Sequence, residues 1–305
     1  MPISVPDNLP ALADLTAEGV DIIAAGDAAR QDIRPLKLLV LNLMPKKKET
    51  EIQFGRLLGC SPLQVEMTLM TTASYTPRNT EPAYLRRFYR CLDDVRDDYF
   101  DALIVTGAPV ETLPFEEVSY WPELAEIISW SQTHCFRRLG ICWGAQALLK
   151  CQFGLEKHPL DEKLFGVFDH QLGRASGRLM HGFTDSFPMP ASRYTYTKAI
   201  EAEAAGLDVL AHSHEAGVGM LRHGTSGDLY VLNHLEYDAQ TLADEYHRDA
   251  SEGLGTALPK YYFPDNDASL TPVNYWRPFA YLLASNWLNE LYRDTPFDLS
   301  QLASR

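Results

Sequence analysis

Two stretches of the chain are apolar at nearly every position. Leu36 to Met44 (LKLLVLNLM) is closed by Pro45, and Phe100 to Thr106 (FDALIVT) is closed by Gly107 and Pro109. A strand with one wet face alternates apolar and polar side chains, so runs this continuous predict strands covered on both faces, as in a parallel sheet. VEMTLMT over 65–71 predicts another strand, Cys135 to Cys142 (CFRRLGIC) a further one, and Leu207 to Ser213 and Asp228 to Tyr237 later ones. Helical spacing lies between them at Glu51 to Leu58 and Ala83 to Leu92, with a short helix start at Gly144 to Leu149. This alternation predicts an α/β fold with a doubly wound, mostly parallel sheet. Residues 1–35, with prolines at 2, 6 and 10, predict an ordered arm carrying one helix, and 36–305 a single α/β domain. Trp276 to Leu291 is a helical tail rich in aromatics, expected to pack on the main domain or on a second subunit.

The most informative segment is Gly140-Ile141-Cys142-Trp143-Gly144-Ala145-Gln146, between a predicted strand and a predicted helix. A nucleophile on a sharp strand-to-helix turn has a strained backbone and needs small neighbours, which Gly140 and Gly144 supply. The helix N-terminus beyond it adds positive potential that favours a thiolate, and backbone N–H groups that can meet an oxyanion. Cys60, Cys91, Cys135 and Cys151 have no such surroundings and are read as packing residues.

A thiol nucleophile needs a base. His234 and Glu236 stand two apart in LNHLE, at the end of the strand-like run DLYVLNHLE. On a strand, such residues share a face, so Glu236 would hold the His234 ring in one tautomer and stabilise its charged form. His212 and His214 in AHSHEAG are the rival base, with no carboxylate two residues on.

Charge changes the picture in two places. A formal net charge of −14 opposes attraction to nucleic acid or to an anionic membrane surface, yet Lys46, Lys47 and Lys48 cluster just past the first strand. Ligands bind at strand C-terminal ends in this fold type, so a local basic patch there suits the phosphates of coenzyme A. Glu245 and Arg248 are three apart in a helical pattern beginning near Asp238; they suit either the ammonium and carboxylate of an amino acid or a surface pair with each other. Five cysteines at irregular spacing and no His pair with ligand spacing predict neither a disulfide framework nor a metal site. With no apolar run long enough to span a membrane and no basic-then-apolar N-terminus, the expected location is the cytoplasm.

With these residues in view, the chain resembles the homoserine O-acyltransferase family of methionine biosynthesis. The resemblance rests on IxVPDNLPA, LNLMPKKKETEIQFGRLLG, TGAPVETLPFEEVSYW, GICWGAQALL, NHLEYDAQTLADEYxRD and NYWRPFAYLLASNWLNELY, strings spread nearly end to end. It implies a class I glutamine amidotransferase-like (flavodoxin-like) fold, a homodimer, and ping-pong transfer from an acyl-CoA co-substrate to L-homoserine with no permanently bound cofactor. By position, the resemblance makes Cys142 the acyl carrier, His234 the base, Glu236 its orienting partner, and the Trp143 N–H part of the oxyanion hole. Lys163 and Ser192 match substrate-binding positions; Arg248 would hold the homoserine carboxylate and Glu245 its amino group. Glu111 in GAPVETL matches members that use acetyl-CoA, whereas Gly there resembles succinyl-users, because a second carboxylate would repel the succinyl terminus. The expected activity is thus homoserine O-acetyltransfer. The alternatives are succinyl transfer, a glutamine amidotransferase-like hydrolase, and a non-catalytic binding protein that retains Cys142 as a redox-sensitive thiol.

Overall fold

The computed structural model describes residues 3–6, 8–20, 22–23, 34–75, 79–174 and 177–304. In chain order its strands are β1 (Ile3–Ser4), β2 (Ile22–Ile23), β3 (Leu36–Leu41), β4 (Val65–Met70), β5 (Tyr89–Arg90) and β6 (Phe100–Val105). They continue with β7 (Cys135–Ile141), β8 (His158–Leu172), β9 (Ser186–Tyr196), β10 (Leu207–Ser213), β11 (Gly217–His223) and β12 (Leu229–Val231). One sheet joins them in the order β2-β1-β4-β3-β6-β7-β12-β11-β10-β8-β9, with β5 added to β4. It is parallel as far as β12 and antiparallel beyond.

The continuous apolar runs feed two cores, one on each face. Leu36, Leu38 and Val40 of β3 and Ala102 and Ile104 of β6 enter one; Leu39, Leu41, Leu103 and Val105 enter the other. Helices Lys47–Leu58 and Arg277–Asp294 cover the first with Phe54, Leu58, Trp287 and Leu288. Helices Trp121–His134 and Trp143–Phe153 cover the second with Leu124, Ile128, Ala147 and Leu148. Each fully buried leucine contributes roughly 1.5–3 kcal/mol, so the parallel half is a firm platform for the loops at its C-terminal edge. The C-terminal helix is tied down by charge as well, because Glu290 accepts from Arg137 of β7 at 3.0 Å and from Arg222 of β11 at 2.7 Å.

Several elements differ from the sequence reading. The helix expected over Ala83 to Leu92 stops at Phe88; Tyr89 and Arg90 join the sheet instead, and a short helix Leu92–Val95 follows. Tyr89 is drawn inward because its hydroxyl bonds Asn42 at 2.9 Å and Glu51 at 2.6 Å. The strand expected over Asp228 to Tyr237 ends at Val231. The long hairpin of β8 and β9 was not foreseen, since Pro159, Pro188 and Pro190 interrupt its alternation. Of the segment read as an arm, residues 24–33 lie outside the described residues; helix Ala11–Ala17 sets Leu15 over Gly55, and β1 and β2 extend the sheet beyond β4.

Candidate active site

Cys142 sits between β7 and helix Trp143–Phe153 with φ 50° and ψ −117°. A non-glycine residue there stores strain of about 1–3 kcal/mol, which the surroundings must hold. The Cys142 N–H donates to Val231 O at 2.7 Å, and its carbonyl accepts from Gln146 N at 3.2 Å. A Cβ on Gly140 would lie 2.4 Å from Ala145 Cα, and one on Gly144 would lie 2.4 Å from the carbonyl oxygens of Val105 and Thr106. The turn closes only with glycine at both positions.

His234 and Glu236 do not lie on a strand, so the shared-face argument fails. They meet through the turn that follows β12. The His234 N–H donates to Pro190 O at 2.8 Å, which anchors the turn to β9, and the ring Nδ1 lies 2.6 Å from Glu236 Oε1. Tyr237 stacks on the imidazole with centroids 4.0 Å apart. Gly107 stands against both side chains, since a Cβ there would lie 3.4 Å from His234 Cε1 and 3.5 Å from Cys142 Cβ. Burial alone would push His234 down, but attraction and hydrogen bonding to Cys142 and Glu236 outweigh it and hold the ring well above its ordinary value. An imidazolium in this place is the natural partner of a thiolate.

Beside Cys142 and His234 lies a buried hydrogen-bond network that the sequence reading missed. His170 Nδ1 is 2.8 Å from Phe168 O and so carries the proton, while Nε2 accepts from Asn233 Nδ2 at 2.9 Å. Asn233 in turn accepts from Arg193 Nε at 3.3 Å, and the guanidinium donates to the carbonyls of Thr195 and Ala216. Arg193 is buried with only neutral hydrogen-bond partners; burial lowers it to about 10, against the pull of the Cys142 sulfur. An arginine among apolar neighbours in PMPASRYTY was the available signal.

Burial lowers His170 to about 4. The unfolded ring protonates near 6.5, so this residue costs nothing above about pH 6.5. As pH falls from there towards 4 the unfolded state takes the proton first, and the native state loses about 3 kcal/mol. Denaturant unfolding at pH 7 and pH 4.5 should show this loss, and His170→Gln should reduce it. An equal loss in both proteins would exclude His170 as the cause.

A pocket of about 400 Å³ opens beside the triad, lined among others by Cys142, His234, Glu111, Ser192, Glu245 and Arg248. Glu245 accepts from Ser192 Oγ and from Lys163 Nζ, both at 2.7 Å, and Lys163 also reaches Asp249 at 2.9 Å. Lys163 is therefore no free cation. Arg248 is bound to Asp249 at 2.6 Å, only 3.8 Å from Glu245, and 56 % exposed, which leaves donors for a ligand. Glu111 shares this pocket; burial pushes its carboxyl up, nearby Glu245 adds to the rise, and His234 and Lys163 oppose it. Lys157 Nζ donates to the carbonyls of Glu111 and Leu113 at 2.6 Å each and so pins the loop that carries Glu111.

One expectation needs correction. Lys47 is buried, its ammonium donates to Asn42 O and lies 5.7 Å from the Tyr89 ring centroid, and burial lowers it to about 8. It offers nothing to a phosphate, because the helix begins at Lys47 and turns that side chain inward. Lys46 stays at the pocket rim, more than half exposed and 3.1 Å from Glu49, and Lys48 pairs with Asp14 at 2.7 Å. His212 and His214 are exposed and do not line the pocket. Burial pushes the Cys60 and Cys151 thiols up to about 11 and Cys135 higher still. Among the described residues no group of three or more His, Cys, Asp or Glu could hold a metal ion, and no helix is long and apolar enough to cross a membrane.

The sequence model of the family described as Homoserine O-succinyltransferase matches residues 2–297. The chain belongs to this family. Its similar relatives include one from Allorhizobium ampelinum named "Homoserine O-acetyltransferase", 46 % identical with 99 % of this chain and 98 % of that one covered. A relative from Pelagibacterium halotolerans named "Homoserine O-succinyltransferase" is 45 % identical and covers 100 % of this chain and 99 % of its own. Family membership makes the protein an acyltransferase. Among solved structures, a glutamine amidotransferase from Methylobacillus flagellatus aligns with TM-score 0.53 at 15 % identity, covering 88 % of this chain and 99 % of its own. Another from Thermotoga maritima aligns with TM-score 0.51 at 13 % identity, covering 85 % and 99 %. At such identities the likeness shows the fold alone, a class I glutamine amidotransferase-like arrangement.

Proposed function

We propose that the protein moves an acetyl group from acetyl-CoA, through Cys142, to the hydroxyl of L-homoserine, a cytoplasmic step of methionine biosynthesis. The single observation that carries this reading is the pocket itself, in which Cys142 and His234 adjoin Glu111, Glu245 and Arg248. Cys142, as thiolate, attacks the donor carbonyl while its proton rests on His234. The oxyanion forms at the start of helix Trp143–Phe153, where the Trp143 N–H has no acceptor within its own helix. The intermediate collapses, the coenzyme thiolate leaves with the proton from His234, and a thioester remains on Cys142. Homoserine then places its carboxylate on Arg248 and its ammonium on Glu245, which Ser192 and Lys163 hold in place. His234 takes the proton from the homoserine hydroxyl, the oxygen attacks the thioester, and the ester departs with Cys142 restored. Lys46 at the rim meets the phosphates of the donor.

Glu111 favours acetyl over succinyl because a succinyl terminus would meet a carboxylate already crowded by Glu245. Mass spectrometry of the protein mixed separately with acetyl- and succinyl-CoA, then with homoserine, tests donor and nucleophile together. The expected result is an acetyl adduct on Cys142 that homoserine discharges as O-acetylhomoserine. A succinyl adduct alone would overturn the reading of Glu111, and no adduct with either donor would overturn the mechanism. Glu111→Gly is expected to raise the kcat/KM ratio of succinyl-CoA to acetyl-CoA by about tenfold or more. An unchanged ratio would exclude Glu111 as the determinant.

A further inference from the structure

We infer that ordered water in a buried cavity bridges Trp287 Nε1 to Glu236 Oε2, and that Trp287 thereby positions the carboxylate that holds His234. The inference rests on the acyl-transfer reading above, in which His234 moves the proton. The cavity, of about 40 Å³, lies inside the first core, between the sheet and the two helices that cover that face. Ile104 of β6, Ile141 of β7 and Val231 of β12 line it from the sheet. Phe54 of helix Lys47–Leu58 and Leu283 and Trp287 of helix Arg277–Asp294 line it from above. Glu236 reaches it from the turn after β12, the same turn that carries His234.

Two polar atoms of this lining lack partners. Glu236 is 7 % exposed and Trp287 2 %. The His234 ring takes Glu236 Oε1 at 2.6 Å, but Oε2 is buried with no hydrogen-bond partner among the described residues, and so is Trp287 Nε1. A carboxylate oxygen cut off from every donor is among the costlier groups to bury, and an indole N–H can only donate. One atom calls for a donor and the other for an acceptor, and water supplies both. The remaining lining side chains among the described residues are hydrocarbon and can serve neither atom. A volume of about 40 Å³ holds roughly one or two water molecules and is far too small for an organic ligand. Glu290, one helical turn beyond Trp287, is held by Arg137 and Arg222 and so fixes the helix over the sheet. With water donating to Oε2, the carboxylate keeps its plane and Oε1 stays on the ring Nδ1 as the imidazolium forms; without it, the carboxylate can turn and the ring loses its fixed orientation.

A crystal structure of the wild-type protein is expected to show ordered water within hydrogen-bond reach of both Glu236 Oε2 and Trp287 Nε1. A dry cavity, or water that reaches only one of the two atoms, would overturn the inference. Trp287→Phe then removes the N–H and keeps an aromatic ring in the core. With p-nitrophenyl acetate, an activated ester that needs no coenzyme site, the amplitude of the nitrophenolate burst counts folded nucleophiles and its rate reads their chemistry. The burst rate per site is expected to fall about tenfold, the low end for a lost hydrogen bond to a charged group, while the amplitude and the KM for homoserine hold. An unchanged rate would overturn the positioning role, as would a fall confined to the amplitude, which marks damage to the fold. Failure of the underlying function is distinguishable. A wild-type protein that gives the burst but is acylated by neither acetyl- nor succinyl-CoA would overturn the proposed donor, and the burst rate of the variant would still decide for or against Trp287.

Discussion

Cys142→Ala is expected to lower acyl transfer by about 10,000-fold or more and to abolish the acyl-enzyme, because no other thiol among the described residues lines the pocket beside His234. Cys135 is fully buried, and burial pushes the Cys60 and Cys151 thiols up to about 11, so none is a substitute nucleophile near neutral pH. Alanine fits the strained position at φ 50° no worse than cysteine, so the variant should fold. Steady-state rates, an intact-mass measurement after donor addition and a denaturation curve separate loss of chemistry from loss of fold. Residual transfer within a hundredfold of wild type in the folded variant would remove Cys142 from the mechanism.

His234→Gln should lower acylation by roughly 100- to 10,000-fold, the usual worth of a positioned acid–base group. It also removes the charge that faces Cys142 and Glu236. The raised value of His234 means that the imidazolium persists through neutral pH, so wild-type acylation should vary little there. In the variant, hydroxide must remove the proton, and the residual rate should climb with pH. The stability linkage has the matching sign. With its folded value raised, His234 contributes stability that is fully present below about pH 6.5 and lost as pH rises through that folded value. A variant whose pH–rate profile parallels that of the wild type would show that another group carries the proton.

The legible part of the molecule is the part with local determinants. Runs such as LKLLVLNLM and FDALIVT can be covered on both faces only inside a parallel sheet, and β3 and β6 occupy them. The Cys142 turn is equally local, because Gly140 and Gly144 answer contacts that arise within a few residues of the thiol or directly beneath it. His234 and Glu236 were pairable from sequence, yet by an argument about strand alternation that the turn after Val231 does not obey. What joins them is a backbone bond to Pro190, on a strand distant in sequence.

By itself, then, the sequence determined which segments form the two-faced parallel core, where the strained thiol sits, and which histidine and carboxylate stand close enough to serve it. Only the tertiary structure decided the pocket beside Cys142. Lys163 and Ser192 come from the β8–β9 hairpin and Glu245 from helix Thr241–Ser251, and their hydrogen bonds depend on packing across 53 and 82 residues. The inward turn of Lys47 was likewise decided there. Burial and hydrogen-bond satisfaction belong to the assembled sheet ends, where loops from separate strands compete for the same space, and no periodicity along the chain records the outcome.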